Sequence, residues 1–220
     1  MNTSRKHARA SRRPYFLVGL TGGYGAGKST VASMLADRFP VIDSDLVAKQ
    51  IVETDQKVRS AIRKEFGDNA FLSDGSIDRS YIASIVFQNP EKLNCLNAVV
   101  HPPTVEKIFE LAEREAKRGN FIVIVESALI YETGLERLFD IVLAVVAAQT
   151  VVERRLAATR GESIAAVRSR YANQWSPAEK QAKADFSIIN EGSFDTLAHA
   201  TRFVAACIIS IARRHGYFHT

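Results

Sequence analysis

Apolar residues gather in five short runs, each closed by a glycine, an acidic residue or a turn. Tyr15–Leu20 is nearly continuous and ends in glycines, and Val41 and Ile42 stop at Asp43. Phe121–Val125 closes on Glu126, Ile141–Val146 is led by Asp140, and Phe186–Ile189 comes last. Continuous rather than alternating apolar character predicts strands buried on both faces. Between the runs the period becomes helical: Val31, Leu35 and Phe39 lie in i, i+4, i+8 register, one face of a helix from Ser29 to Phe39. Ser44 to about Arg118 is helical throughout, broken by the turn-rich "GDNAFLSDGSID". The "HPP" of His101–Pro103 is expected to end one helix and start another, since proline suits a helix's first turn and not its interior. Helical pattern returns over Thr150–Lys183, rich in arginine and lysine, and a last helix is expected from about Phe194 to Arg213. The alternation predicts an α/β fold, a parallel sheet covered on both faces. A long helical insert after the second strand and a basic helical stretch after the fourth are additions to that core.

Composition narrows this picture only a little. A chain of 220 residues can bury a sizeable core, as one domain or as one core with insertions. No uninterrupted apolar run approaches the roughly 20 residues that span a bilayer, so a membrane protein is not expected. The N-terminus lacks the apolar stretch of a secretory signal. Cys95 and Cys207 make neither a disulfide framework nor a metal cluster, which points to the cytoplasm. The net charge of +5 suggests a polyanion until it is located: Arg5, Lys6, Arg9, Arg12 and Arg13 account for all of it. Residues 15–220 then carry 24 basic and 24 acidic side chains, and residues 1–14 read as a disordered basic tail. A targeting peptide or polyanion-binding arm is the other reading of that tail; no nucleic-acid partner is expected.

"LTGGYGAGKST" fits the pattern G-x-x-x-x-G-K-[ST] at Gly22, Gly27, Lys28 and Ser29, between an expected strand and an expected helix. Glycine permits backbone conformations that turn successive N–H groups into one concavity, and the helix adds its positive dipole end. Gly23, Gly25, Ala26, Gly27, Lys28, Ser29 and Thr30 are therefore the candidate ATP-binding residues. Lys28 is expected to reach the β- and γ-phosphates, and the Ser29 hydroxyl to ligate Mg²⁺. The chain holds no N-K-x-D segment for reading guanine and no second nucleotide motif. A small metabolite kinase is the reading that remains.

An acceptor hydroxyl must lie in line with the γ-phosphate and be held by a carboxylate. Ligands of parallel sheets bind beyond the carboxyl ends of the strands, where Asp43, Asp45 and Glu126 fall. Asp43 or Ser44 also suits the N-cap of the following helix, which leaves Asp45 for chemistry. Glu126 either orients Mg²⁺ through water, binds substrate, or is a buried structural carboxylate.

Five segments in order carry a resemblance: "LTGGYGAGKST", "VIDSDLVAKQIV", "GSIDRSYIASIVFQNPEKLNCLNAVVHP", "YETGLERLFDIVLAV" and "QWSPAEKQAKADFSIIN". Together they resemble the dephospho-coenzyme A kinase family from about Phe16 to Asn190. The resemblance implies ATP-dependent phosphorylation of the ribose 3′-hydroxyl of dephospho-coenzyme A. It also implies a three-layer P-loop kinase core at 15–43, 119–148 and 185–220, a helical substrate domain at 44–118 and a lid at 149–184. It implies a catalytic role for Asp45 as base on the ribose hydroxyl, beside Lys28. On the substrate side it implies Arg79, His101, Glu126 and Glu132; a surface arginine and a structural histidine are the plain alternatives for the first two. Asn190, in an "AD…N" segment with Ala184 and Asp185, is implied as a contact to adenine, against the alternative of a turn asparagine.

The chain departs from the family pattern twice. The usual P-L-L-x-E run is Ala128-Leu129-Ile130-Tyr131-Glu132 here, and the lid reads "RRLAATRGES", with Thr159 where an arginine is usual. Arg160 is the nearest replacement for that catalytic arginine; Arg154, Arg155, Arg168 and Arg170 are the alternatives. The expected protein is a monomer or weak oligomer. Competing readings are a P-loop kinase for a nucleoside monophosphate or hydroxy acid, and a nucleotide-dependent regulatory binding protein.

Overall fold

The structure, a computed structural model, describes residues 13–171 and 174–217 and separates into two compact units, 1–42 with 112–220 and Asp43–Leu111. The first unit is built on strands β1 (Phe16–Gly22), β2 (Val41–Asp43), β3 (Ile122–Glu126), β4 (Ile141–Val146) and β5 (Phe186–Ile189). They form one sheet in the order β2-β3-β1-β4-β5. β1 pairs in parallel with β3 and β4, and β4 with β5. Around them lie α1 (Lys28–Ala36), α6 (Gln149–Arg160), α7 (Ile164–Tyr171), α8 (Pro177–Lys183) and α9 (Phe194–Arg214).

The central strands β1, β3 and β4 are apolar over most of their length because both faces are covered, whereas edge strand β5 leaves Ile189 exposed. Phe16, Val18 and Leu20 of β1 join Ile122, Ile124, Ile141, Leu143 and Val145 beneath α1 and α9. On the other face Val142 packs with Ile130, Tyr131, Phe139 and Trp175. A Cβ on Gly19 would meet Ile130 and Phe139 within 2.9 Å, so this glycine admits the segment after β3 onto the sheet. Aspartates pin the strand entries: Asp140 Oδ2 accepts the Leu17 N–H at 2.7 Å, and Asp185 Oδ2 accepts that of Val142 at 2.7 Å.

Arg13, counted with the basic tail by its charge, belongs to the folded body. Its guanidinium donates to the Leu138 carbonyl at 2.8 Å and pairs with Asp140 at 3.3 Å. The rest of the tail, residues 1–12, lies outside the described residues. Among the described residues α9 is, by length and composition, long and apolar enough to cross a membrane, although no uninterrupted apolar run announces it. Polar residues interrupt the run without removing the helical face. Leu197, Val204, Ala205, Ile208 and Ala212 on that face are buried in the core cluster.

The second unit comprises α2 (Ser44–Thr54), α3 (Gln56–Phe66), α4 (Arg79–Val86) and most of α5 (Pro90–Lys117). Asp43, Asp55 and Asp78 cap α2, α3 and α4, each accepting main-chain N–H bonds in the first turn. The core of this unit includes Val47, Ile51, Val58, Ile62, Phe66, Ile77, Ile82 and Ile108, all buried. The expected break at "HPP" does not occur: α5 runs 28 residues with Pro102 and Pro103 inside it. Two prolines remove only two N–H donors, and the Thr104 hydroxyl adds a bond to the Val100 carbonyl at 2.7 Å beside them.

Candidate active site

The phosphate loop follows directly from β1. Gly25 and Gly27 take φ of +68° and +92°, the left-handed region that favours glycine. Gly27 stands at the N-cap of α1, with no side-chain cap and no acidic residue in the first turn. Among the described residues no hydrogen bond occupies the N–H groups of Gly25, Gly27, Lys28 or Ser29. Four unspent donors at the positive end of a helix are what an anion requires.

β1 and β3 are in register with Leu20 opposite Glu126, which brings the end of β3 beside the loop. Glu126 Oε1 accepts from Lys28 Nζ at 2.7 Å and from Ser29 Oγ at 2.9 Å. The carboxylate thus ties both side chains together beside the loop. This triangle offers hydroxyl and carboxylate oxygens, the hard donors that suit Mg²⁺. No group of three or more His, Cys, Asp or Glu among the described residues is arranged to hold a metal. A cation there would be shared with phosphate oxygens, as Mg²⁺ commonly is.

Asn190 takes a place different from the one expected. Its side chain is buried and donates from Nδ2 to the Ala26 carbonyl of the loop at 2.8 Å. The Nδ2 end of the amide is thereby committed to the loop. Thr30 donates its main-chain N–H to the Gly27 carbonyl as α1 begins.

Glu132, expected to bind substrate, has one carboxylate oxygen engaged within the fold. Its Oε1 pairs with Lys180 Nζ at 2.8 Å and accepts the Trp175 N–H at 2.8 Å. Lys180 is fully buried and also donates to the Ala128 carbonyl at 2.6 Å. Burial holds the Lys180 amine below its usual range, Glu132 pulls it up, and the Lys28 charge pushes it down again. Trp175 stacks on Tyr131, ring centroids 5.4 Å apart.

The arginines of 149–184 sort themselves by partner. Arg168 binds Glu153 at 2.8 Å, Arg155 the Asn190 carbonyl at 3.0 Å, and Arg154 the Thr150 carbonyl of its own helix at 3.3 Å. Arg160 and Arg170 are gathered at Tyr24 instead. Arg170 lies over the Tyr24 ring, 4.6 Å from its centroid. Arg160 is 3.8 Å from Glu162, and the Tyr24 hydroxyl donates to that same carboxylate at 2.8 Å. Thr159, where the sequence resemblance implied an arginine, turns its hydroxyl back to the Arg155 carbonyl.

Tyr24 is a tie between the loop and 149–184 to which sequence reasoning gave no role. Its N–H donates to Gln174 Oε1 at 3.0 Å, and its carbonyl accepts the Tyr171 hydroxyl at 3.0 Å. The signal was present, an aromatic residue among loop glycines, but it falls at a position the phosphate-loop pattern leaves free.

In the second unit, Asp43 Oδ1 accepts from the Asp45 and Leu46 N–H groups at 2.9 and 3.0 Å. Of the two acids, Asp43 is therefore the cap, and Asp45 is exposed in the first turn of α2. Arg79 opens α4 and pairs with Glu53 at 3.1 Å. A cavity of about 390 Å³ lies inside this unit, lined by Lys49, Val52, Arg79, Val86, Leu96 and His101 among others. It brings together Arg79 and His101, the two side chains that sequence resemblance marks for substrate. Burial holds the His101 imidazole below its ordinary range and so favours the neutral ring.

The family described as dephospho-CoA kinase matches residues 16–196. A dephospho-CoA kinase of Thermobifida fusca is 41% identical over 182 residues, covering 82% of this chain and 90% of that protein. The dephospho-CoA kinase of Chlorobaculum tepidum is 36% identical over 200 residues, covering 89% and 96%. Among solved structures, TT1252 from Thermus thermophilus superimposes with a TM-score of 0.73 at 32% identity, over 87% of this chain and 97% of that one.

Proposed function

The chain belongs to the dephospho-CoA kinase family, and from that membership we propose the reaction in detail. The γ-phosphoryl group of ATP passes to the ribose 3′-hydroxyl of dephospho-coenzyme A, giving coenzyme A and ADP. One observation supports the donor half above the rest: unspent N–H donors at the start of α1 meet the Lys28–Ser29–Glu126 triangle.

The loop amides and Lys28 hold the phosphates, and Lys28 exchanges its bond to Glu126 for phosphate oxygens of similar charge. Ser29 and Glu126 are the side chains that would hold Mg²⁺, whose part is to offset charge on the β- and γ-oxygens. Asp45 orients the acceptor hydroxyl and takes its proton; this role follows from the family pattern and from Asp43 being the helix cap. Arg79 and His101 contribute to holding dephospho-coenzyme A within 44–118. Arg160 offsets charge spread over the transferring oxygens. Residues 149–184 act as a lid, keeping water from the phosphoryl group. Cys95 and Cys207 are free thiols, which supports the cytoplasm as the place of work.

Replacing Asp45 by asparagine tests the acceptor assignment. Turnover is expected to fall roughly 10²- to 10⁴-fold, with ATP affinity retained in a binding titration. Near-normal turnover in the variant would remove Asp45 from the reaction.

A further inference from the structure

We propose that Asn190 is a positioning residue of the phosphate loop: it fixes the Ala26–Gly27 peptide so that the Gly27 N–H meets phosphate. The proposal rests on the reading that this loop binds ATP phosphates, and it adds that Asn190 does not read the base.

Asn190 stands directly after the edge strand β5 with both main-chain groups fixed. Its N–H donates to the Val146 carbonyl at 2.8 Å, and its own carbonyl accepts from Arg155 at 3.0 Å. The side chain then has a defined path, and its Nδ2 reaches the Ala26 carbonyl, 164 positions earlier in the chain, at 2.8 Å. The residue is only 6% exposed, and Ala26 only 2%.

A trans peptide is planar, with its C=O and N–H on opposite edges. Binding the Ala26 oxygen to Asn190 therefore turns the N–H of the same peptide, that of Gly27, to the far side. No hydrogen bond among the described residues occupies that N–H. Gly27 completes the interlock. At φ +92° it is left-handed, and a Cβ there would run into the Asn190 amide. The lack of a side chain at Gly27 and the buried asparagine are two halves of one contact. Asn190 thus acts on phosphate through the loop and touches no ligand.

Calorimetric titration with ATP, GTP and inorganic tripolyphosphate separates positioning from base reading. Asn190→Ala removes the donor; Asn190→Asp keeps the shape but sets an acceptor against the Ala26 oxygen. One hydrogen bond to a charged group is at stake, so both variants should bind more weakly by roughly 10- to 100-fold. The factor should be the same for all three ligands, and the Asp variant should lose at least as much as the Ala variant. The KM for dephospho-coenzyme A should stay at its wild-type value. Gly27→Ala attacks the same contact from the loop side and should reproduce the uniform loss if an Asn190 variant fails to fold. A loss confined to ATP, or unchanged binding of tripolyphosphate, would overturn the proposal. Wild-type protein that bound none of the three would overturn the phosphate-loop reading and this proposal with it.

Discussion

Taking the Lys180 ammonium out of water costs several kcal/mol unless its charge and donors are matched. Glu132 and the Ala128 carbonyl match them, at 2.8 and 2.6 Å. Lys180→Met would leave the largely buried Glu132 charge without its cation and with only the Trp175 N–H, and its Oε2 already has no hydrogen bond among the described residues. Urea denaturation should show a loss of about 3–5 kcal/mol, part of which Lys180→Met with Glu132→Gln recovers. No signal in "SPAEKQAK" sets Lys180 apart from the exposed Lys183; burial of one lysine is decided by where Glu132 lands, far away in the chain. His101 gives a pH prediction with a definite sign. Its folded pKa is lowered by burial, so as pH falls the unfolded chain takes up the proton first. This contribution to stability is fully present above the unfolded value, about 6.5, and is lost as pH falls from there toward the folded value. Denaturation at pH 7.5 and 5.5 should show a larger loss for the wild type than for His101→Gln, with a slope of at most about 1.4 kcal/mol per pH unit.

Among the elements, the strands follow the apolar runs closely, most strictly in β1, β3 and β4, which are buried on both faces. β4 and β5 span Ile141–Val146 and Phe186–Ile189, the bounds read from the pattern, and β1 and β3 differ only at their ends. α5 was the local rule that failed, since a helix held along its length outlasts two missing donors. The segment 149–184 is the element whose role was least legible. Its helices were visible as pattern, but their attachment depends on Tyr24, a residue 138 positions away from Glu162. Gly25 shares in this attachment: a Cβ there would meet Val152 and Leu156 of α6 at 2.7 Å. Tyr24→Phe keeps the ring beneath Arg170 and removes only the hydroxyl bond to Glu162. If that bond helps keep water from the transfer, ADP formed without phosphorylated acceptor should rise by roughly 2- to 10-fold. Comparing ADP release with acceptor phosphorylation measures this; equal coupling in the two proteins would exclude the hydroxyl from closure.

For the whole molecule, the donor half was legible in one local stretch, and the acceptor only in the resemblance carried by five separate segments. A phosphate loop is local: one short stretch sets its turn, its lysine and its helix start. An acceptor site is assembled from distant segments, so the roles given to Glu132 on the substrate side and to Asn190 at adenine rested on the resemblance, and local pattern showed neither side chain's partner in the fold. Asn190 faces the loop, and Glu132 faces Lys180. Net charge misled in a smaller way, since Arg13 is bonded into the body at Asp140. The family match, covering residues 16–196, links this donor site to one acceptor. The direct test is to incubate the protein with Mg-ATP and, separately, dephospho-coenzyme A, nucleoside monophosphates and small hydroxy acids, measuring ADP and the product. Dephospho-coenzyme A should stimulate ADP release, with the new phosphate on the ribose 3′-oxygen. No stimulation by dephospho-coenzyme A, alongside clear stimulation by another acceptor, would contradict the account.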